Sequence, residues 1–308
     1  MKFNLKAIPA DLITVKQVGK LKVVKYARKV FYDNLWEVHP LLKECRGLVL
    51  DLDNNVVAHP FTKVFNIGEN GTGYPEFPFT LVDKVNGFLG VITRYEGRDT
   101  FSTTGSLDSP FVTMWRDSFV WHWKDNNDTF ANSLILDKLL DSFTLMFEVC
   151  HTDDPHIVKE EPGIYLIGAR RKDTGTMMLE CELDILASNF KWYRKEHRLV
   201  KNKEELDSLV KNCKMEGFMV RDFDGKIVAK VKSPHYLGTK FIARGGSKKT
   251  ARLWGMEARE VFNLGLEEEF LSVIEKIRGA FSQEEWTALG EQERIRFVEL
   301  VLTLVGEE

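Results

Sequence analysis

The residues of this chain best suited to chemistry are lysines, and the most telling is Lys84 in "TLVDKVNGFLGVITRYEG", Thr80 to Gly97. It follows the apolar pair Leu81-Val82 and precedes Asn86-Gly87 and Phe88-Leu89. Asn-Gly is a strong hairpin signal, and Gly87 would permit a close backbone approach. A hairpin explains the turn, but not a cation set between two runs that read as buried strand. Three further charged clusters stand at strand ends: Glu148 in "LMFEVC", Glu216-Gly217 in "MEGFMVRD", and Lys230 with Lys232 in "AKVKS". Period-two alternation puts Lys230 and Lys232 on one face of a strand. Two ammonium groups there repel unless an anion lies between them, and phosphate is the usual one. The same positive field, with burial, would lower the pKa of a third lysine and make it a nucleophile. Two carboxylates can hold a hydrated Mg²⁺ that offsets phosphate charge. The combined reading is a lysine attacking a nucleotide phosphate. Taken singly, each cluster has a plainer reading: a solvated hairpin, the wet face of an edge strand, an ion-paired glutamate. The ordered set carries the signal.

These residues need strands to hold them. "GLVLDLDNNVVAHPF" reads as strand, turn, strand, and "FTLMFEVC", "GIYLIGARR" and "MMLECEL" as short strands. Asp224-Gly225 marks a second hairpin. "SPFVTMWRDSFVWHWK", "SLILDKLLDS" and a stretch near Leu35–Leu42 carry helical periodicity. After a linker near Gly245–Ser247 the chain turns to amphipathic helices, "EEEFLSVIEKIRGAF" and "SQEEWTALGEQERIRFVELVLTLV", the last opened by a Ser282/Glu285 capping box. Periodicity alone gives an α+β body, residues 1–243, and a small helical C-terminal domain, 247–308.

Composition narrows the classes. The length of 308 residues suggests about two domains, and a content of 44% hydrophobic and 29% charged residues is ordinary for a globular chain. No apolar run approaches the roughly 20 residues of a membrane span, and the N-terminus lacks a signal-peptide core. A cytoplasmic location is expected. Cys45, Cys150, Cys181 and Cys213 form no CxxC pair and read as reduced thiols. A net charge of -3 means that a nucleic-acid partner would need a local basic patch. Candidates are Lys248, Lys249 and Arg252, and "KWYRKEHR" from Lys191 to Arg198, whose Trp192 and Tyr193 suit unstacked bases. His151 and His156 flank "TDDP" and read as part of a polar surface loop.

The ordered set resembles the covalent nucleotidyltransferase superfamily of polynucleotide ligases and capping enzymes. Lys84-Val85-Asn86-Gly87 is similar to its motif I, Phe147-Glu148 to motif III, Leu166–Arg171 to motif IIIa, Glu216–Val220 to motif IV and Lys230-Val231-Lys232 to motif V. The upstream "ECRGLVLD" and "PFTKVFNIGEN" resemble the phage RNA ligase 1 family. That resemblance implies a ligase adenylation fold of antiparallel sheets flanked by helices, ATP and Mg²⁺ (or Mn²⁺) as cofactors, and a monomer acting on RNA 5′-phosphate and 3′-hydroxyl ends, tRNA among them. It implies that Lys84 takes AMP, that Arg46 and Lys63 contact the β- and γ-phosphates, and that Phe65 packs in the nucleotide site. Glu148 would bind ribose or a metal-bound water, Glu216 the metal, and Lys230 and Lys232 the α-phosphate. Asn86, Gly87 and Phe147 fall within the same motifs, Asp83 directly precedes Lys84, and all four are expected at the nucleotide. Asn86 departs from the aspartate usual in motif I, and Phe88 from a small polar residue. DNA ligases and capping guanylyltransferases carry an OB-fold after motif V, where this chain reads as helices. A non-catalytic nucleotide or RNA-end binding module is the alternative of a different class.

Overall fold

The computed structural model describes residues 1–126, 129–244, 247–255 and 269–305. Twelve strands among them make three antiparallel four-stranded sheets. The first contains β1 (Ile13–Val18), β2 (Leu21–Tyr26), β3 (Arg46–Asp51) and β4 (Val56–Ala58), in that order. β5 (Phe79–Asp83) opens a second sheet. β6 (Phe88–Tyr95), β7 (Arg98–Thr103), β8 (Phe143–Cys150) and β9 (Gly163–Arg171) form the third, in the order β7-β6-β8-β9. β10 (His197–Val200), β11 (Gly217–Arg221) and β12 (Ile227–Lys232) then return to β5, giving β10-β5-β11-β12.

This topology corrects the expected hairpin at Asn86-Gly87. β5 and β6 lie in different sheets, so the segment between them crosses from one sheet to the other. Gly87 is required by that crossing. A Cβ there would stand 2.4 Å from the Val149 carbonyl oxygen on β8. The hairpin at Asp224-Gly225 is present: Gly225 takes a positive φ of 75° between β11 and β12.

Helices follow sheet faces. α1 (Arg28–Tyr32) is a short surface turn. α2 (Pro110–Asn126), α3 (Phe130–Ser142) and α4 (Glu180–Phe190) cover the third sheet, burying Trp115, Phe119, Leu140 and Phe190 against Leu145 and Phe147. α5 (Lys203–Lys211) packs Leu206 against Phe79 and Leu81 of the second sheet. α6 (Pro234–Ala243), α7 (Ser247–Gly255), α8 (Glu269–Ala280), α9 (Gln283–Ala288) and α10 (Glu291–Val305) gather around Trp286, Phe270 and Val298. Ile242 of α6 belongs to that cluster. Among the described residues no helix is long and apolar enough to cross a membrane.

Two element expectations change. Leu35–Leu42 forms no α-helix. His39 is extended before Pro40, which starts a 3₁₀ turn over Pro40–Glu44, because a residue preceding proline is driven out of the helical region. "MMLECEL" is not a strand. Glu182 accepts from the Leu179 N–H at 2.7 Å and starts α4, leaving one bridge, Arg170 with Met177. The Ser282/Glu285 capping box is present. Of the expected linker, Gly245 and Gly246 lie outside the described residues.

Candidate active site

Lys84 follows the last residue of β5, and its N–H donates to the Gly217 carbonyl at 2.9 Å. Gly217 has a φ of 133°, and a Cβ there would meet the Val231 carbonyl oxygen at 2.1 Å, so only glycine lets β11 begin this close to β12. The result sets Glu216 against Lys84. Lys84 Nζ donates to Glu216 Oε2 at 2.7 Å and to the Val85 carbonyl at 3.2 Å, while Lys232 Nζ lies 3.2 Å from Glu216 Oε1. Glu216 is buried. Burial opposes its charge, but Lys84 and Lys232 outweigh that and hold its carboxyl below the usual range. Lys232 also lies over the Tyr236 ring, 4.6 Å from its centre.

Glu148, on β8, accepts from the Gly87 N–H at 3.1 Å. Burial drives its carboxyl above the usual range, against the pull of Lys84. It has no ion-pair partner among the described residues. Asn86 is buried, and one amide orientation satisfies both its neighbours: Nδ2 donates to Glu216 Oε2 at 3.1 Å, and Oδ1 accepts from the Val158 N–H at 3.0 Å. An aspartate in this place would set a second carboxylate against Glu216. The Asn86 N–H donates to Glu160, which pairs with Lys195 at 2.6 Å. The loop of residues 151–162 is thus tied to Asn86 on one side. On the other, Ile157 packs against Tyr236, Ala243 and Ile295 of the C-terminal helices.

A cleft of about 550 Å³ opens beside this cluster, a size that suits a small-molecule ligand. Arg46, Lys63 and Lys230 line it with Lys84, Glu148 and Glu216. Lys63 and Lys230 meet because residues 65–67 are stitched to β12: Lys230 N–H donates to the Phe65 carbonyl at 3.0 Å, and Ile67 N–H to the Lys230 carbonyl at 2.9 Å. None of these three cations pairs with a carboxylate among the described residues. Lys230 shows the consequence. Burial, then the fields of Lys63, Lys232, Arg46 and Lys84, bring its amine down to about 8. Burial and Arg46 likewise lower Lys63.

Other expected site residues are differently engaged. Phe147 is fully buried in the core beneath the third sheet. Phe65 packs edge-on against Trp36 at 5.2 Å, below Lys63, and does not line the cleft. Asp83 borders the cleft, but its carboxylate is held by Arg198 at 2.9 Å. The anion expected between Lys230 and Lys232 is, for Lys232, the carboxylate of Glu216. In "KWYRKEHR" most charge is paired internally: Arg194 with Glu180 and Asp184, Lys195 with Glu160, Arg198 with Asp83. Trp192 is buried, and Tyr193 is half exposed. The side chains of Lys248, Lys249 and Arg252 lie outside the described residues. The sequence reading missed Tyr26, Phe61, Tyr236 and Arg244 as lining residues. Tyr236 had a signal, since Ser233 caps a helix that sets it one turn past Lys232.

Among the described residues no three His, Cys, Asp or Glu side chains cluster as a metal site. Both oxygens of Glu216 are engaged by lysines, which leaves Glu148 as the unpaired carboxylate. This donor set fits a Mg²⁺ that arrives on phosphates, an ion satisfied by one or two carboxylates when substrate oxygens and water complete its shell.

A family model described as RNA ligase matches residues 44–244. RNA ligase 1 of Bacteriophage TS2126 is 27% identical over 199 residues, 59% of this chain and 48% of that protein. The chain spans about half the length of the curated relatives it matches. Two forms of an archaeal ATP-dependent RNA ligase share the fold, with TM-scores of 0.56 and 0.54 at 15% and 14% identity. They cover 98% and 96% of this chain, and 76% and 74% of theirs.

Proposed function

Because the chain belongs to the RNA ligase family, we propose that it is an ATP-dependent RNA ligase that joins 5′-phosphate and 3′-hydroxyl RNA ends. Lys84 Nζ attacks the ATP α-phosphorus. A P–N bond forms, the bond to the β-phosphate oxygen breaks, and pyrophosphate leaves. AMP then passes from Lys84 to a 5′-phosphate, and a 3′-hydroxyl displaces AMP to close the phosphodiester. The observation that carries this reading is the placing of three cations that form no ion pair among the described residues, Arg46, Lys63 and Lys230, beside a lysine held by a carboxylate.

Arg46 and Lys63 receive the β- and γ-phosphates and orient the leaving group. Lys230 and Lys232 stabilise charge growing on the α-phosphoryl oxygens, the main source of catalysis in such transfers. Glu216 must release Lys84 before its amine can attack, and an incoming nucleotide gives Lys232 an alternative anion. Glu148 and Glu216 would hold a Mg²⁺ or Mn²⁺, which neutralises phosphate charge when bound. The role in RNA or tRNA repair, action as a monomer, a cytoplasmic location, and the division into residues 1–243 and 247–308 belong to this proposal. The packing of Ile242 within the helical cluster ties α6, the last helix of the first part, to the second.

The test is covalent labelling. Protein incubated with Mg²⁺ and ATP labelled at the α-phosphate should run as a labelled band on a denaturing gel, and Lys84→Ala should give none while keeping its circular dichroism. A labelled Lys84→Ala band would move the nucleophile elsewhere. No band from folded, unadenylylated wild type would leave a nucleotide-binding module in place of an enzyme.

A further inference from the structure

Lys63 forms no ion pair among the described residues, since the Glu69 carboxylate that acts on it is bonded to Asn66, yet its ammonium is enclosed. Nζ lies 5.0 Å from the ring centre of Phe65, 5.5 Å from Trp36 and 5.4 Å from Phe31. The three rings have different reasons to be there. Trp36 and Phe65 are core residues, 2% and 8% exposed, packed on each other and on Tyr26 and the first sheet. Phe31 is 49% exposed on α1, belongs to none of the hydrophobic clusters, and has one ring neighbour besides the cage, Tyr32. Core packing explains the first two rings and leaves Phe31 without a purpose except its contact with Lys63.

We propose that Phe31 is a positioning residue for Lys63. It closes the solvent side of an aromatic cage that holds the ammonium toward the pyrophosphate end of the nucleotide. The proposal rests on the reading that the cleft takes a triphosphate. Ring faces carry negative charge and attract a cation within about 6 Å. They stabilise the ammonium without neutralising it, so its charge stays available to an anion in front. A carboxylate in the same place would compete with phosphate. A lysine stem also carries considerable rotamer freedom, and enclosure removes part of that cost before the ligand arrives. The neighbouring backbone is fixed as well: Lys63 N–H donates to the Lys43 carbonyl at 2.7 Å.

The experiment replaces Phe31 with phenylalanines bearing one, two and three ring fluorines, which drain the face of negative charge and hardly change its shape. Two quantities are read: inorganic pyrophosphate binding to nucleotide-free protein by calorimetry, and KM for ATP in self-adenylylation. Each fluorine should weaken both, to about 5-fold over the series, with kcat little changed. Phe31→Trp should bind at least as well as wild type, and Phe31→Leu as poorly as the trifluoro variant. A flat series would overturn the proposal. So would pyrophosphate binding that tightens with fluorination, because the cage would then compete with the anion. If wild type binds pyrophosphate in step with the series but is never labelled by ATP, the ligase reading fails and the cage stands. If wild type binds no pyrophosphate, the cage proposal falls.

Discussion

Around Lys84 the charges are answered within the protein: Glu216 meets Lys84 and Lys232, and Asn86 donates to the same carboxylate. At the other end of the cleft Arg46, Lys63 and Lys230 face one another, and none forms an ion pair among the described residues, Glu69 acting on Lys63 and Lys230 only through its field. Like charges left together in a partly buried place cost stability. Such a cost persists where a ligand repays it, so the outer end is prepared for an anion before the anion comes. The inner end is closed on itself and must exchange partners for Lys84 to react. In the proposed ligase one end would serve binding and the other the chemical step.

The sharpest way to break this contrast is a pair of near-isosteric neutralisations. Glu216→Gln removes the charge that orders Lys84 and Lys232. It should lower kcat for self-adenylylation about 10²-fold, the scale of removing one preorganised group at a reacting centre. Lys230→Met removes one of the outer cations. It should raise KM for ATP about 10-fold, as expected for one charge-assisted contact to phosphate, with a smaller change in kcat. It should also raise the urea midpoint of the nucleotide-free protein, since a partly buried ammonium with no ion pair among the described residues disappears. Equal kcat and KM effects from the two substitutions would mean that the two ends do not divide the work.

A smaller effect separates the ends by pH. The Lys230 amine lies near 8, far below the ordinary lysine range, through burial and four neighbouring cations. It is mostly charged at pH 7 and loses its proton as pH rises through about 8, and phosphate needs the charged form. In the free protein kcat/KM for ATP should therefore fall above pH about 8, because that quantity reports groups in the free enzyme. Lys230→Arg, which stays charged, should move this fall to higher pH. A profile identical in the two proteins would take Lys230 out of the phosphate contact.

Much of the inner end was legible in the sequence, because its residues sit at strand ends with fixed local geometry. Lys84, Glu216 and Lys232 do meet, with Glu148 beside them at the cleft, and Gly87 does allow a close approach. What local pattern misses is which sheet a strand joins. Asn86-Gly87 has hairpin chemistry, yet β5 and β6 part, since Phe88–Ile92 pair with β8 and β5 pairs with β10 and β11. Phe147 and Phe65 carried motif positions, but their apolar area is buried in cores. "KWYRKEHR" is rich in charge as a string and largely neutralised in space, because Glu180, Asp184, Glu160 and Asp83 come to it from distant elements. Asn86 looked like a lost charge. In the fold it is a donor to Glu216 that an aspartate could not be.

Among the described residues the outer cations have no direct ion pair, even though Glu44 stands two residues from Arg46 and the field of Glu69 reaches Lys63 and Lys230. The Glu44 oxygens are taken by His59 Nε2 at 2.9 Å, Thr62 Oγ1 at 3.0 Å and Arg170 at 3.0 Å. That network ties the segment carrying Lys63 to β9 and occupies the Glu44 oxygens, so that none pairs with Arg46, Lys63 or Lys230. Burial works against the Glu44 charge, but His59 and Arg170 outweigh it and bring the carboxyl to about 2. Because this folded value lies below the ordinary 4.5, the stabilisation is complete above about pH 4.5 and is lost as pH falls toward 2. Glu44→Gln should thus cost on the order of 2 kcal/mol at pH 7, with the gap to wild type closing in urea titrations between pH 4.5 and 2. KM for ATP should rise only about 2- to 3-fold, the least of these effects, because the network steadies Lys63 and touches no nucleotide. A rise as large as that from Lys230→Met would place Glu44 in contact with the bound nucleotide or its metal.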